Sequence, residues 1–183
     1  MVKMMVKTFV AACFLLVLAI PALAQEDYPK IQTSMGYTML SFPDLATGQS
    51  SHHSGFANQT GFNLTKTWGL ENYMGIYGLG NGTTLIADSF GGKATYRAAK
   101  VAPYALAGIG IGYFSINTSF GYGSKSAFTT RVGGGVDVPF KDTMALKFEV
   151  SRMKFHVNFQ DPTLSGWTGG TNFTTGIVFT LAQ

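Results

Sequence analysis

Residues 144–155 read Met-Ala-Leu-Lys-Phe-Glu-Val-Ser-Arg-Met-Lys-Phe. Leu146, Phe148 and Val150 fall on one parity, and Lys147, Glu149 and Ser151 on the other. Apolar and polar residues that alternate with period two describe a strand whose two faces meet different surroundings. The same pattern continues on both sides. Upstream, residues 127–138 set Phe128, Val132, Val136 and Val138 against Arg131, Gly133, Gly135 and Asp137. Downstream, residues 172–181 set Phe173, Ile177, Phe179 and Leu181 against Thr174, Gly176 and Thr180. Five further segments complete eight expected strands: 30–40, 55–65, 70–79, 86–97 and 102–114. The parity of 70–79 is open. In 102–114, Tyr104 and Leu106 disagree with Ile109, Ile111 and Tyr113, and a bulge near Gly108 is expected to reconcile them.

The expected connections alternate in length. Residues 66–69, 98–101 and 139–143 are short; 41–54, 80–85, 115–126 and 156–171 are long. Short turns at one end and long loops at the other are the pattern of a bacterial outer-membrane barrel. The N-terminus agrees with export. A basic start through Lys7 precedes an apolar run of about 13 residues, Thr8–Ile20, then Pro21 and the small-residue site before Ala24/Gln25. The run falls short of the roughly 20 residues needed to span a bilayer as a helix. Residues 1–24 are therefore expected to be a signal peptide cleaved between Ala24 and Gln25, and residues 25–183 the barrel domain. The single cysteine, Cys13, lies in the signal segment, so no disulfide or thiol chemistry is expected in the exported part. Charged residues make up 12% of the chain and the formal net charge is +4, with no basic run. Nucleic-acid binding is not expected.

An exported chain without a spanning helix can satisfy its backbone in hydrocarbon only by closing a sheet on itself. The fold expected is all-β: an eight-stranded antiparallel up-and-down transmembrane barrel. Lipid then faces the bulky parity, and the lumen holds Lys93, Arg97, Arg131, Asp137, Lys147 and Glu149, with Gln32 nearby. An eight-stranded barrel is just wide enough to be filled by side chains, and buried charges there must pair. Trp68, Tyr104 and Phe140, beside the short turns, are expected in an interfacial girdle. The structural alternative is a soluble lipocalin-like carrier with the faces inverted.

Three stretches resemble a known group. They are Phe90–Arg97 followed by Val101–Tyr104, Phe128–Val138 with Ala145–Lys147, and Thr175–Phe179. Their order and spacing are similar to the OmpA-like and OmpX-like small outer-membrane barrels, the outer membrane protein β-barrel domain family. The resemblance implies a bacterial outer-membrane location, contact with outer-membrane lipid, and insertion by the barrel assembly machinery. Family members often end on an aromatic that this machinery reads; here Phe179 is set in from Gln183. The resemblance includes no peptidoglycan-binding domain, so wall anchoring is not expected.

Other residues carry side chains capable of chemistry. His52, His53 and His156 are expected in solvated loops rather than in a metal site. A catalytic set of His156 with Asp161 and Ser165 needs hydrogen-bond geometry that spacing does not supply. Tyr113 and Tyr122, with Phe114 and Phe120, sit around the third long loop and are expected at the headgroup region. The Asn-x-Thr triplets are chance matches in a Thr-rich chain. Gly110, Gly112 and Gly133–Gly135 continue strand parity, unlike a phosphate loop that opens into a helix. The expectation is a monomeric, non-enzymatic integral barrel, envelope-structural or surface-loop presenting, with no catalytic residue, metal or cofactor. A narrow small-solute channel and a lipid-modifying enzyme are the functional alternatives.

Overall fold

The computed structural model describes residues 28–43, 50–80, 82–98, 100–118, 121–157 and 166–182. Eight antiparallel strands follow one another: β1 Ile31–Pro43, β2 Ser50–Asn63, β3 Trp68–Gly80, β4 Thr83–Thr95, β5 Ala102–Thr118, β6 Gly121–Lys141, β7 Met144–Val157 and β8 Gly166–Ala182. Each pairs with its neighbour, and β8 pairs back with β1 from Gln32↔Thr180 to Ser41↔Thr171. The barrel is closed and has no free sheet edge. Residues 28–30 and Ala182, with the turns at 64–67, 96–98 with 100–101, and 142–143, lie at one end, called here the turn end. In the first turn Thr65 Oγ1 accepts the Thr67 and Trp68 backbone N–H groups at 3.2 and 2.9 Å.

Face polarity follows the alternation. Phe128 is 47% exposed on the outer wall and Phe148 42%, whereas Arg131 and Glu149 are 2% and 1% exposed inside. Trp68 and Phe140 stand outward near the turn end. Tyr104 does not join them. It is buried in the lumen, because its parity is that of the inner face.

Two expected loops are strand instead. β3 and β4 are joined across residues 81–82, with Gly80 (φ 83°) and Gly82 (φ 72°) supplying the left-handed backbone of a tight hairpin. β5 and β6 pair without interruption from Ala102↔Asp137 to Thr118↔Gly121. Most of 115–126 is therefore an extended hairpin rather than a loop. The bulge expected near Gly108 is not formed: Gly108 pairs with Gly91 and Arg131 in continuous register. The parity conflict disappears because Tyr104 and Leu106 face inward. Apolar character alone does not mark the lipid side in this chain.

The reason lies in the lumen. Toward the end opposite the turns, the loop end, the interior is apolar. Leu40, Phe42, Ala57, Tyr73, Tyr77, Leu85, Ala87, Ala127, Met153, Phe155 and Val157 form one buried cluster, with Leu79 and Phe114 packed on it. Only the half toward the turn end has the ionic filling expected for the whole lumen.

Candidate functional site: the stratified lumen

The inner parities of β3, β4, β6 and β7 bring six charges together. Glu71 is the hub. Lys93 Nζ lies 3.2 Å from Glu71 Oε2, Arg131 Nη1 3.2 Å from Glu71 Oε1, and Lys147 Nζ 3.8 Å from Glu71 Oε2. Asp137 closes one side, 3.7 Å from Lys93 and 3.8 Å from Lys147. Glu149 closes the other, 2.5 Å from Arg131 Nη2. Three acids face three bases, and the layer is neutral.

Neutral side chains satisfy part of the rest, while Arg131 Nε and Asp137 Oδ1 have no hydrogen-bond partner among the described residues. Glu149 accepts from Tyr104 OH at 3.0 Å and Gln59 Nε2 at 3.1 Å. The Tyr104 ring lies 3.9 Å under Lys93 Nζ and 4.8 Å under Lys147 Nζ; the Tyr73 ring lies 4.1 Å from the Arg131 guanidinium. Such cation–π contacts add attraction where water is excluded. Gly135 makes room for Tyr104: a Cβ there would stand 2.6 Å from its hydroxyl and 2.3 Å from the Phe148 carbonyl.

Above this layer sits a hydroxyl–amide layer. Asn172 Oδ1 accepts from Thr38 Oγ1 at 2.8 Å and Tyr77 OH at 2.9 Å. Its amide donates to Thr174 Oγ1 at 3.1 Å and Tyr73 OH at 3.3 Å. Tyr73 and Tyr77 also share a hydrogen bond. Above that, Phe155 stacks edge-on to Phe42 and Phe114, with centroids 5.9 and 5.6 Å apart.

Five of the seven polar residues expected in the lumen, Lys93, Arg131, Asp137, Lys147 and Glu149, converge on the ionic layer. Arg97 and Gln32 do not. Arg97 lies past the end of β4, donates to the Lys66 carbonyl and sits 5.8 Å from the Tyr28 ring. Gln32 accepts from Asn63 Nδ2 at 3.1 Å. Both line a cavity of about 190 Å³ at the turn-end mouth, together with Asp137, Lys141 and Asp142. Arg97 shares the inner parity but lies two residues beyond the last ladder position, Thr95. Glu71 was missed because the parity of β3 was unassigned. A signal was available: Lys93, Arg97, Arg131 and Lys147 against Asp137 and Glu149 leaves two surplus cations, and removing Arg97 while adding Glu71 balances the set.

The histidines are not loop residues. His52 and His53 lie in β2, on opposite faces, so they cannot converge on one ion. His156 lies in β7 and rests against Trp167, ring centroids 5.1 Å apart. Asp161, Ser165 and Phe120 lie outside the described residues, as do residues 1–27, which include the cleavage site at Ala24 and Gln25.

The family model of the outer membrane protein β-barrel domain matches residues 10–179. No curated protein sequence matches. Among solved structures, neisserial surface protein A is similar with a TM-score of 0.62 at 13% identity, over 82% of this chain and 96% of that one. The N-terminal barrel domain of Pseudomonas aeruginosa OprF gives 0.57 at 14% identity, over 82% and 98%. Ail of Yersinia pestis gives 0.54 at 16% identity, over 81% and 97%. Identities this low establish a shared fold.

Proposed function

The chain belongs to the outer membrane protein β-barrel domain family, and from that premise we propose that it is a sealed, non-enzymatic barrel whose role is envelope-structural or surface-loop presenting. One observation carries the reading: the lumen is closed twice. A neutral ionic layer fills the half toward the turn end, and an aromatic plug of Phe42, Phe114 and Phe155 fills the other. A conducting path would need both layers to open, and rearranging packed aromatic rings costs free energy that exchange of ion pairs does not return. The same filling leaves no central hollow for a lipocalin-like ligand. In this reading residues 1–24 direct export, the assembly machinery inserts residues 25–183, and the ionic layer of Glu71, Lys93, Arg131, Asp137, Lys147 and Glu149 is structural.

Planar-bilayer recording tests the proposal. The purified, folded protein is expected to give no discrete current steps above the lipid background. Reproducible single-channel steps would transfer the assignment to the narrow-channel alternative. Lipid A isolated after expression is expected to be unmodified; a change in its acylation would favour the enzyme.

A further inference from the structure

Threonines and asparagines are scattered over the outer wall, but two like charges stand side by side on it at one place only among the described residues. Of the strand cations, Lys93, Arg131 and Lys147 are buried in the lumen, Lys125 pairs with Phe114 on the inner parity, and Lys141 ends β6 at the turn end. Arg152 and Lys154 remain, neighbours on the outward face of β7 and exposed. No acid among the described residues offsets them. Glu71, Asp137 and Glu149 belong to the ionic layer, Asp142 lies in a turn, and Asp88 stands on β4, three strands away.

The strand sets their depth. From the turn end the outward series on β7 reads Leu146, Phe148, Val150, Arg152, Lys154, His156. A strand rises about 3.3 Å per residue, or about 2.5 Å along the membrane normal when tilted by about 40°. Counted from Met144, Lys154 therefore stands about 25 Å up the wall, the height of the whole apolar band. Rings lie on its loop side. His156 pairs with Phe128 and Trp167, and the Trp167 ring is 6.1 Å from that of Phe128 and 5.1 Å from that of His156. Aromatic girdles of this kind mark the interface. The two cations thus stand at the rim of the band on the loop side, where long basic side chains reach head groups.

Adjacent strands complete a small polar patch. Lys154 pairs with Thr130 and Gly169, and Arg152 with Val132 and Thr171. Arg152 Nη1 donates to Thr171 Oγ1 at 3.3 Å, which leaves the Thr171 hydroxyl proton and further guanidinium N–H groups to donate. Two fixed positive charges with spare donors, set against hydrocarbon, call for an anion rich in oxygen.

We infer that this β6–β8 patch binds the phosphate of an outer-leaflet lipid, a phosphomonoester of the lipid A type. Short turns face the periplasm in such barrels, so the loop end lies in the outer leaflet. Charge decides between lipids. Two cations balance a phosphomonoester, which carries about −1.5 to −2 at neutral pH, whereas the phosphodiester of a phospholipid ionises only once. The planar guanidinium suits two phosphate oxygens, and the ammonium serves as a point charge for the third. The inference rests on the membrane placement of the family and not on the sealing of the lumen, so bilayer recording and lipid binding fail separately.

Lipid retention by the purified, folded protein in detergent tests it, read by native mass spectrometry with diphosphoryl lipid A, its dephosphorylated form and phosphatidylglycerol. Diphosphoryl lipid A is expected to stay bound as a single-lipid adduct. Removing its phosphates, or Arg152→Gln with Lys154→Gln, should lower the apparent affinity by about tenfold or more, the scale of one lost charge-assisted contact. Lys66→Gln with Lys100→Gln removes the same charge from the turn end and should leave the affinity unchanged. Heat-modifiable gel mobility confirms that each variant is folded; if the β7 double variant is not, Lys154→Gln alone is read the same way. Equal losses in the two double variants would overturn the inference, as would lipid A binding untouched by the β7 changes or phosphatidylglycerol held as tightly as lipid A.

Discussion

Glu71→Leu is expected to destabilise the barrel by about 3–5 kcal/mol, the range for breaking a buried ion pair by removing one partner. Glu71 touches all three bases of the ionic layer. Without it Lys93, Arg131 and Lys147 face only Asp137 and Glu149, and one buried positive charge is left uncompensated. Urea unfolding in detergent or lipid, followed by the loss of heat-modifiable mobility, measures the change. Removing a base with the acid restores neutrality, so Glu71→Leu with Lys147→Met should recover much of the loss. Similar losses in the single and double variants would show that charge balance is not what holds the layer together.

Phe155→Ala is the second large effect expected, about 3–5 kcal/mol for a buried phenylalanine truncated to alanine. The ring is fully buried between Phe42 and Phe114. Its seat is shaped by Gly112, where a Cβ would stand 2.7 Å from Phe155 Cδ1. Surrounding strands are tied into a closed ladder and cannot collapse inward to fill the space. The same unfolding assay reads the result. A loss under 1 kcal/mol would mean the loop-end lumen is loosely filled, and the double closure of the barrel would lose its support.

The strand count and the inside–outside alternation were legible in the sequence because lipid and lumen impose opposite demands on adjacent residues. Met144–Phe155 and Phe128–Val138 show this plainly. Legibility failed where both faces are apolar. On β3, Leu70, Met74 and Ile76 alternate with Tyr73 and Tyr77, and on β5 Tyr104 and Leu106 oppose Ile109 and Ile111. Hydrophobicity cannot distinguish a ring in a plug from a ring in lipid, which leaves the parity of β3, and Glu71 with it, open in the sequence and makes the continuous ladder through Gly108 look bulged. Loop length failed for a different reason. Gly, Ser and Thr at 115–126 read as loop, yet the hairpin is held by backbone ladder bonds, which depend little on side-chain identity.

The central claim is that hydrocarbon surrounds the outer parity while the charges are enclosed. Nuclear Overhauser contacts in lipid nanodiscs test it directly, with protonated acyl chains and a deuterated protein carrying labelled methyl groups. Methyls of Val132, Val150 and Ile177 are expected to show cross-peaks to acyl methylene protons and none to water, while those of Leu40 and Leu85 show neither. Water cross-peaks at Val150 and Ile177, without acyl contacts, would contradict the account.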